Sequence, residues 1–143
     1  MDGYKILIPN IITPEEAIFL KENNIKNSKE IVDKIKKIIE EKISPDIAIW
    51  DEPSRISIER NRSNGHPWHV DTGSSNHMLW CAYGASILLT DDDRAGYLEY
   101  RDGTKILPKE HYCSMALHSS DVEHRVEQNS SRIAFLSFLQ RKL

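Results

Sequence analysis

The sequence predicts a mainly β protein with N-terminal helices, a sandwich or barrel with the helices packed on its outside. Three observations carry that prediction. Residues 1–45 hold most of the lysines and one apolar stripe at helical spacing. From Ser44 onward the texture changes to short runs with period-two alternation. Those runs are separated by turn clusters, without the intervening helical segments that a parallel βαβ sheet requires.

A short strand is expected at Tyr4–Pro9. Thr13-Pro14-Glu15-Glu16 is a capping box with proline at the first helical position, and its helix should run to about Glu22. A second helix starts at Asn27-Ser28-Lys29-Glu30. Behind it Ile31, Val32, Ile35, Ile38, Ile39 and Ile43 recur on one face, with balanced charges between them on a solvated outer face. Strands follow at Ile47–Trp50 and Arg55–Glu59. A longer apolar stretch, Leu79–Thr90, is interrupted at Gly84. Further strands are expected at Gly96–Arg101, Lys105–Leu107, Ser114–Leu117, Glu123–Val126 and Arg132–Gln140. Asp91-Asp92-Asp93, Arg101-Asp102-Gly103 and Gln128-Asn129-Ser130-Ser131 are the turns between them.

With 143 residues the chain has the size of one domain, residues 1–143, in which 1–45 are helical support and 46–143 the β core. No apolar run is long enough to cross a membrane as a helix, and Met1-Asp2-Gly3-Tyr4 does not open a signal peptide. A net charge of -3 argues against dedicated duplex nucleic-acid binding, which leaves a basic footprint. Two cysteines, Cys81 and Cys113, are too few for a disulfide scaffold and read as small buried hydrophobes in a reduced, cytoplasmic protein. The triplets Asn61-Arg62-Ser63 and Asn129-Ser130-Ser131 carry no weight without a secretion signal.

The chemistry concentrates around His69-Val70-Asp71. On a strand, residues i and i+2 project from one face, so His69 and Asp71 can reach one metal ion together. Neutral imidazole and carboxylate suit divalent iron, and two histidines with one carboxylate form the facial triad of non-haem iron oxygenases. An HxD element alone proves nothing in a chain with six histidines. The third ligand has to come from a distant strand, and His124 stands at the start of one. Arg132 then opens a strand on which it shares a face with Ala134, Leu136 and Phe138. A guanidinium on so apolar a face needs an anionic partner, and a cosubstrate carboxylate would supply one by bidentate pairing; a surface salt bridge is the alternative.

HxD, a distal histidine and an arginine eight residues later resemble the Fe(II)- and 2-oxoglutarate-dependent oxygenases, and more narrowly their prolyl 4-hydroxylase-like branch. Leu88-Leu89-Thr90-Asp91-Asp92, Ala95-Gly96-Tyr97-Leu98-Glu99-Tyr100, Leu107-Pro108-Lys109 and Ala116-Leu117-His118 resemble that branch's further motifs in the same order. The resemblance covers about residues 55–140. It departs from the pattern at Leu88, where a tyrosine often contacts the cosubstrate, at Ala95 and Tyr97, which replace a glycine and a glutamate, and at Ala134, where some relatives place a serine.

The resemblance implies a double-stranded β-helix (jelly-roll) core. It implies Fe(II) held by His69, Asp71 and His124, 2-oxoglutarate anchored by Arg132, and O2-dependent hydroxylation of a peptide or small-molecule substrate, with succinate and CO2 as coproducts. Demethylase or halogenase chemistry is the enzyme rival, and the retained carboxylate of Asp71 speaks against the halogenase. The rival of another class is a non-catalytic jelly-roll binding module with a structural metal; an arginine anchor favours the enzyme. His66, His77, His111 and His118 read as surface or hydrogen-bonded core residues. For His66 and Trp68, ahead of the ligands, and for Arg55, Arg60 and Arg62, a substrate-contacting role stands beside a surface one.

Overall fold

A computed structural model of the chain describes residues 4–43, 47–49, 56–60, 65–71, 81–128 and 131–141. The expected N-terminal order holds. Strand β1 (Lys5–Ile8) leads into helix α1 (Pro14–Glu22), then a 3-10 turn at Ile25–Asn27, then helix α2 (Lys29–Lys42). The capping box is formed on both sides. The Glu16 N–H donates to Thr13 Oγ1 at 3.1 Å, and the Thr13 N–H donates to Glu16 Oε1 at 2.9 Å. The 3-10 turn was not expected; the Asn24 side chain accepts from the Asn27 N–H and caps it. Asn27 thus closes that turn, and α2 begins after Ser28.

Among the described residues, ten strands form two antiparallel sheets. Besides β1 these are β2 (Ile47–Ile49), β3 (Ile56–Arg60), β4 (His66–His69), β5 (Tyr83–Leu88), β6 (Leu98–Tyr100), β7 (Lys105–Ile106), β8 (Met115–Ser119), β9 (His124–Val126) and β10 (Ile133–Arg141). The larger sheet runs β1-β8-β5-β10. Both β2 and β3 then pair along β10, β3 with Ile133–Ser137 and β2 with Leu139–Arg141. The smaller sheet runs β4-β9-β6-β7. Along the chain, β3, β5, β8 and β10 of the larger sheet alternate with β4, β6–β7 and β9 of the smaller one. That back-and-forth winding is a double-stranded β-helix, a jelly roll with helices on one side.

Strand alternation decides what each face buries. Tyr83, Ala85 and Ile87 of β5, Met115 and Leu117 of β8, and Phe135 and Leu139 of β10 pack with Ala17, Leu20, Val32, Ile35 and Ile39 of the helices. The isoleucine stripe of α2 is what covers the larger sheet. Each such buried aliphatic side chain contributes roughly 1.5–3 kcal/mol. The alternate residues of the same strands turn inward between the sheets. There Leu98, Tyr100, Ile106 and Ala116 form a second apolar cluster.

Two local expectations are corrected. Gly84 does not interrupt the apolar run; it lies inside β5, paired with His118 on one side and Phe138 on the other. Asp71 does not share a strand with His69, because β4 ends at His69 and Asp71 follows in a bend. Leu79, Trp80 and the Asn129-Ser130 part of the last turn lie outside the described residues.

Candidate metal centre

Between the two sheets lies a cavity of about 120 Å³, and its wall includes His69, Asp71, His124 and Arg132. One ligand atom from each of His69, Asp71 and His124 lies within 4.8 Å of the other two. The structure therefore brings the three predicted side chains together, although not by simple strand alternation. Pairing of β4 with β9 matches His66 to Val126 and His69 to His124, so three steps on β4 answer two on β9. That extra residue is a bulge. Residues three apart in a regular strand would face opposite ways, yet the bulge lets His66 and His69 both line the cavity. Asp71 is then brought back by its own backbone, whose N–H donates to the Ser120 carbonyl at 3.0 Å.

Hydrogen bonding at Nδ1 fixes which nitrogen each imidazole offers. In His124 the Nδ1–H donates to the Val122 carbonyl at 2.9 Å, which directs Nε2 toward Asp71 Oδ1 at 3.4 Å. In His69 the Nδ1–H donates to the Pro67 carbonyl at 2.7 Å, with His66 Nδ1 at 2.8 Å sharing the same proton. Both rings thus present Nε2, the tautomer a metal-ligating histidine takes when its other nitrogen is held by a carbonyl. Two imidazole nitrogens and one carboxylate oxygen are a donor set that fits a divalent iron.

The charges suit a cation. Burial opposes ionisation of Asp71, but the hydrogen bonds from His118 and His124 outweigh it and hold the carboxyl well below the usual range. Burial lowers His69 to about 4, against the pull of the Pro67 carbonyl, so its ring is neutral and available. For His124 burial works the same way, but the bond to Asp71 wins and raises it.

Sequence analysis leaves His118 between a surface and a hydrogen-bonded core residue; the structure makes it the second, with a role at Asp71 that the sequence did not show. Its side chain is buried, its Nε2–H donates to Asp71 Oδ2 at 2.8 Å, and its Nδ1 accepts from the Tyr100 hydroxyl at 2.9 Å. The available signal was positional: His118 lies two residues past Ala116, on the inward face of β8. Gly84 was misread for a related reason. A Cβ built there would stand 2.0 Å from Asp71 Oδ2 and 2.9 Å from His118 Nε2, so the glycine is the space the carboxylate occupies.

Arg132 is 6% exposed and shares the cavity wall with Leu136 and Phe138, as the strand pattern predicts. Burial pulls its guanidinium down to about 10, partly opposed by Glu59, and it remains a cation at neutral pH. Glu59 belongs to the same wall, opposite Ala134 on β3, so a protein carboxylate already stands near the arginine. The other arginine readings separate. Arg60 donates to the Lys21 carbonyl at the end of α1, away from the cavity. Arg55, Arg62 and His77 lie outside the described residues. Trp68 is not part of the cavity lining; Arg101 and Arg125 stack on its ring at 3.9 and 5.6 Å from the centroid. His111 accepts from the Leu107 N–H at 2.9 Å and serves a turn.

These features define a jelly roll with a buried His-Asp-His cluster between its sheets. No family model matches the sequence, and no curated protein matches it. Solved structures do share the fold. A viral collagen prolyl hydroxylase from Paramecium bursaria Chlorella virus-1, in its 2OG complex, matches with a TM-score of 0.75 at 14% identity, over 99% of this chain and 97% of the other. A Pseudomonas putida prolyl-4-hydroxylase matches with a TM-score of 0.65 at 10% identity, over 99% and 95%. A 2OG-Fe(II) oxygenase family protein from Burkholderia pseudomallei matches at 0.58 and 15% identity, over 82% of this chain and 59% of its own. The fold is that of the prolyl 4-hydroxylases.

Proposed function

We propose that the protein is an Fe(II)- and 2-oxoglutarate-dependent dioxygenase that hydroxylates a prolyl or other peptidyl residue, or a small molecule, releasing succinate and CO2. One observation carries the reading: a His-Asp-His donor set and a buried arginine open into the same cavity. A purely structural metal would need only the first. His69 and His124 would hold Fe(II) through Nε2, and Asp71 through a carboxylate oxygen. Iron with 2-oxoglutarate supplies the oxidation of an unactivated C–H bond at the expense of O2.

The chain's own contribution is placement and shielding. The carbonyls of Pro67 and Val122 set the two imidazoles. Arg132 would pair the far carboxylate of the keto acid. Leu98, Leu136 and Phe138 give the cavity an apolar wall that excludes water. The fold's likeness to prolyl hydroxylases supports a peptide among the substrates to be tried first. Iron and a keto acid are supplies of the cytoplasm, which is where we propose the protein works.

The test is succinate formation from 2-oxoglutarate by the iron-loaded protein in air, with wild type and Asp71→Ala side by side. Under argon, Fe(II) plus 2-oxoglutarate should give a weak visible charge-transfer band in the wild type. Absence of that band, with iron bound, would leave the binding-module reading in its place.

A further inference from the structure

We infer that His118, backed by Tyr100, is a positioning residue that holds the Asp71 carboxylate in the orientation a metal requires. The inference rests on the reading of Asp71 as a ligand. The two oxygens of that carboxylate are not equivalent. Oδ2 accepts from His118 Nε2 at 2.8 Å, whereas Oδ1 faces His124 Nε2 at 3.4 Å. His118 therefore occupies one oxygen and leaves the other facing His124, one of the two candidate imidazole ligands.

An ionised Asp71 only accepts, so His118 Nε2 carries the hydrogen of the 2.8 Å bond between them. The Tyr100 hydroxyl stands 2.9 Å from His118 Nδ1, on the other side of the ring. The result is a hydrogen-bonded line from Tyr100 through His118 to Asp71.

The line also spans the sheets. His118 belongs to β8 of the larger sheet, in register with Gly84, and Tyr100 belongs to β6 of the smaller, in register with His124. Asp71 comes from a bend outside either strand. A ligand on a bend lacks the fixed direction that a strand gives its side chains. His118 supplies that direction, and the missing Cβ of Gly84 leaves the carboxylate room to accept it. His118 is not itself one of the three converging ligand residues.

The experiment uses the full chain and Co(II) as the probe, read by its d–d absorption and by titration. Asp71→Ala tests the underlying reading and should abolish the Co(II) spectrum. His118→Phe removes the donor while filling the space, and should weaken Co(II) about 10- to 100-fold, the usual effect of losing a partner behind a ligand. Its d–d bands should also shift. His118→Gln restores an N–H donor and should recover most of the affinity and the wild-type bands, which a packing role would not predict. Tyr100→Phe should give a smaller loss in the same direction, and circular dichroism establishes that each variant is folded. If folded His118→Phe binds Co(II) with wild-type affinity and spectrum, the positioning role is overturned while the metal site stands. If His118→Gln is as poor as His118→Phe, the hydrogen bond is not what matters and the inference is again overturned. If Asp71→Ala binds normally, the metal-centre reading falls instead.

Discussion

Adding one methyl at Gly84 is the sharpest perturbation the structure offers. An ideal Cβ there would lie 2.0 Å from Asp71 Oδ2, and ordinary contact begins at 3.4 Å, so the carboxylate must retreat by at least 1.4 Å. It cannot retreat with its donor, because the methyl would also lie 2.9 Å from His118 Nε2. The 2.8 Å hydrogen bond between them is therefore lost or badly bent. A hydrogen bond to a charged group contributes about 1.5–3 kcal/mol, and overpacking of a fitted interior costs about 1–3 kcal/mol. Gly84→Ala should destabilise the protein by roughly 2.5–6 kcal/mol in urea unfolding and lower Co(II) affinity by at least about tenfold, the equivalent of about 1.4 kcal/mol. A double-mutant cycle isolates the cause. In an Asp71→Ala background the main obstacle is gone, and Gly84→Ala should then cost only the smaller remainder owed to His118. An equal penalty in both backgrounds would refute the reasoning and move the cause to the β5 backbone.

Other outcomes follow from the same structure. Alanine at His69 or His124 should abolish Fe(II) binding in anaerobic titration, because either change removes one of three converging donors. Arg132→Ala should weaken 2-oxoglutarate by about 2–5 kcal/mol in a titration of the iron-loaded protein while leaving Fe(II) affinity near normal, with Arg132→Lys in between. Ile35→Ala on α2, fully buried against the larger sheet, should cost about 2–5 kcal/mol of stability in urea unfolding without changing Co(II) affinity. Cys81 and Cys113 are buried and not joined in a disulfide, and burial pushes the Cys113 thiol up to about 11. At pH 8 that thiol stays protonated in the folded state, so iodoacetamide should label both cysteines, by mass spectrometry, only after unfolding.

What the sequence revealed and what it concealed follow from the range of the forces involved. The start of α1 was legible because Thr13 and Glu16 cap one another across three residues, a signal wholly contained in the segment. The apolar stripe of α2 was legible for the same reason. His69, Asp71, His124 and Arg132 were readable as residue types in an order, yet their convergence depends on contacts remote in sequence. The β4 bulge arises only against β9, and the Asp71 bend is held by Ser120. Nothing local to His66–Asp71 encodes either. Gly84 illustrates the limit best. A glycine in an apolar run reads as a break, and only the carboxylate above it, from a segment far back in the chain, shows it to be an accommodation. His118 was opaque because a buried histidine owes its role to its two partners, and neither Tyr100 nor Asp71 is a neighbour in sequence.

The pairing of β10 has a consequence for the order of assembly. This strand makes the ladder with β5 on one side and with β3 and β2 in succession on the other, and it contributes Arg132, Leu136 and Phe138 to the cavity wall. All three of its partners precede it in the chain. During synthesis they leave the ribosome first and must wait with unsatisfied edges until β10 emerges. Long-range closure of this kind slows folding and exposes strand edges to other chains in the interval. The metal pocket can therefore be completed only in the final stage of that closure.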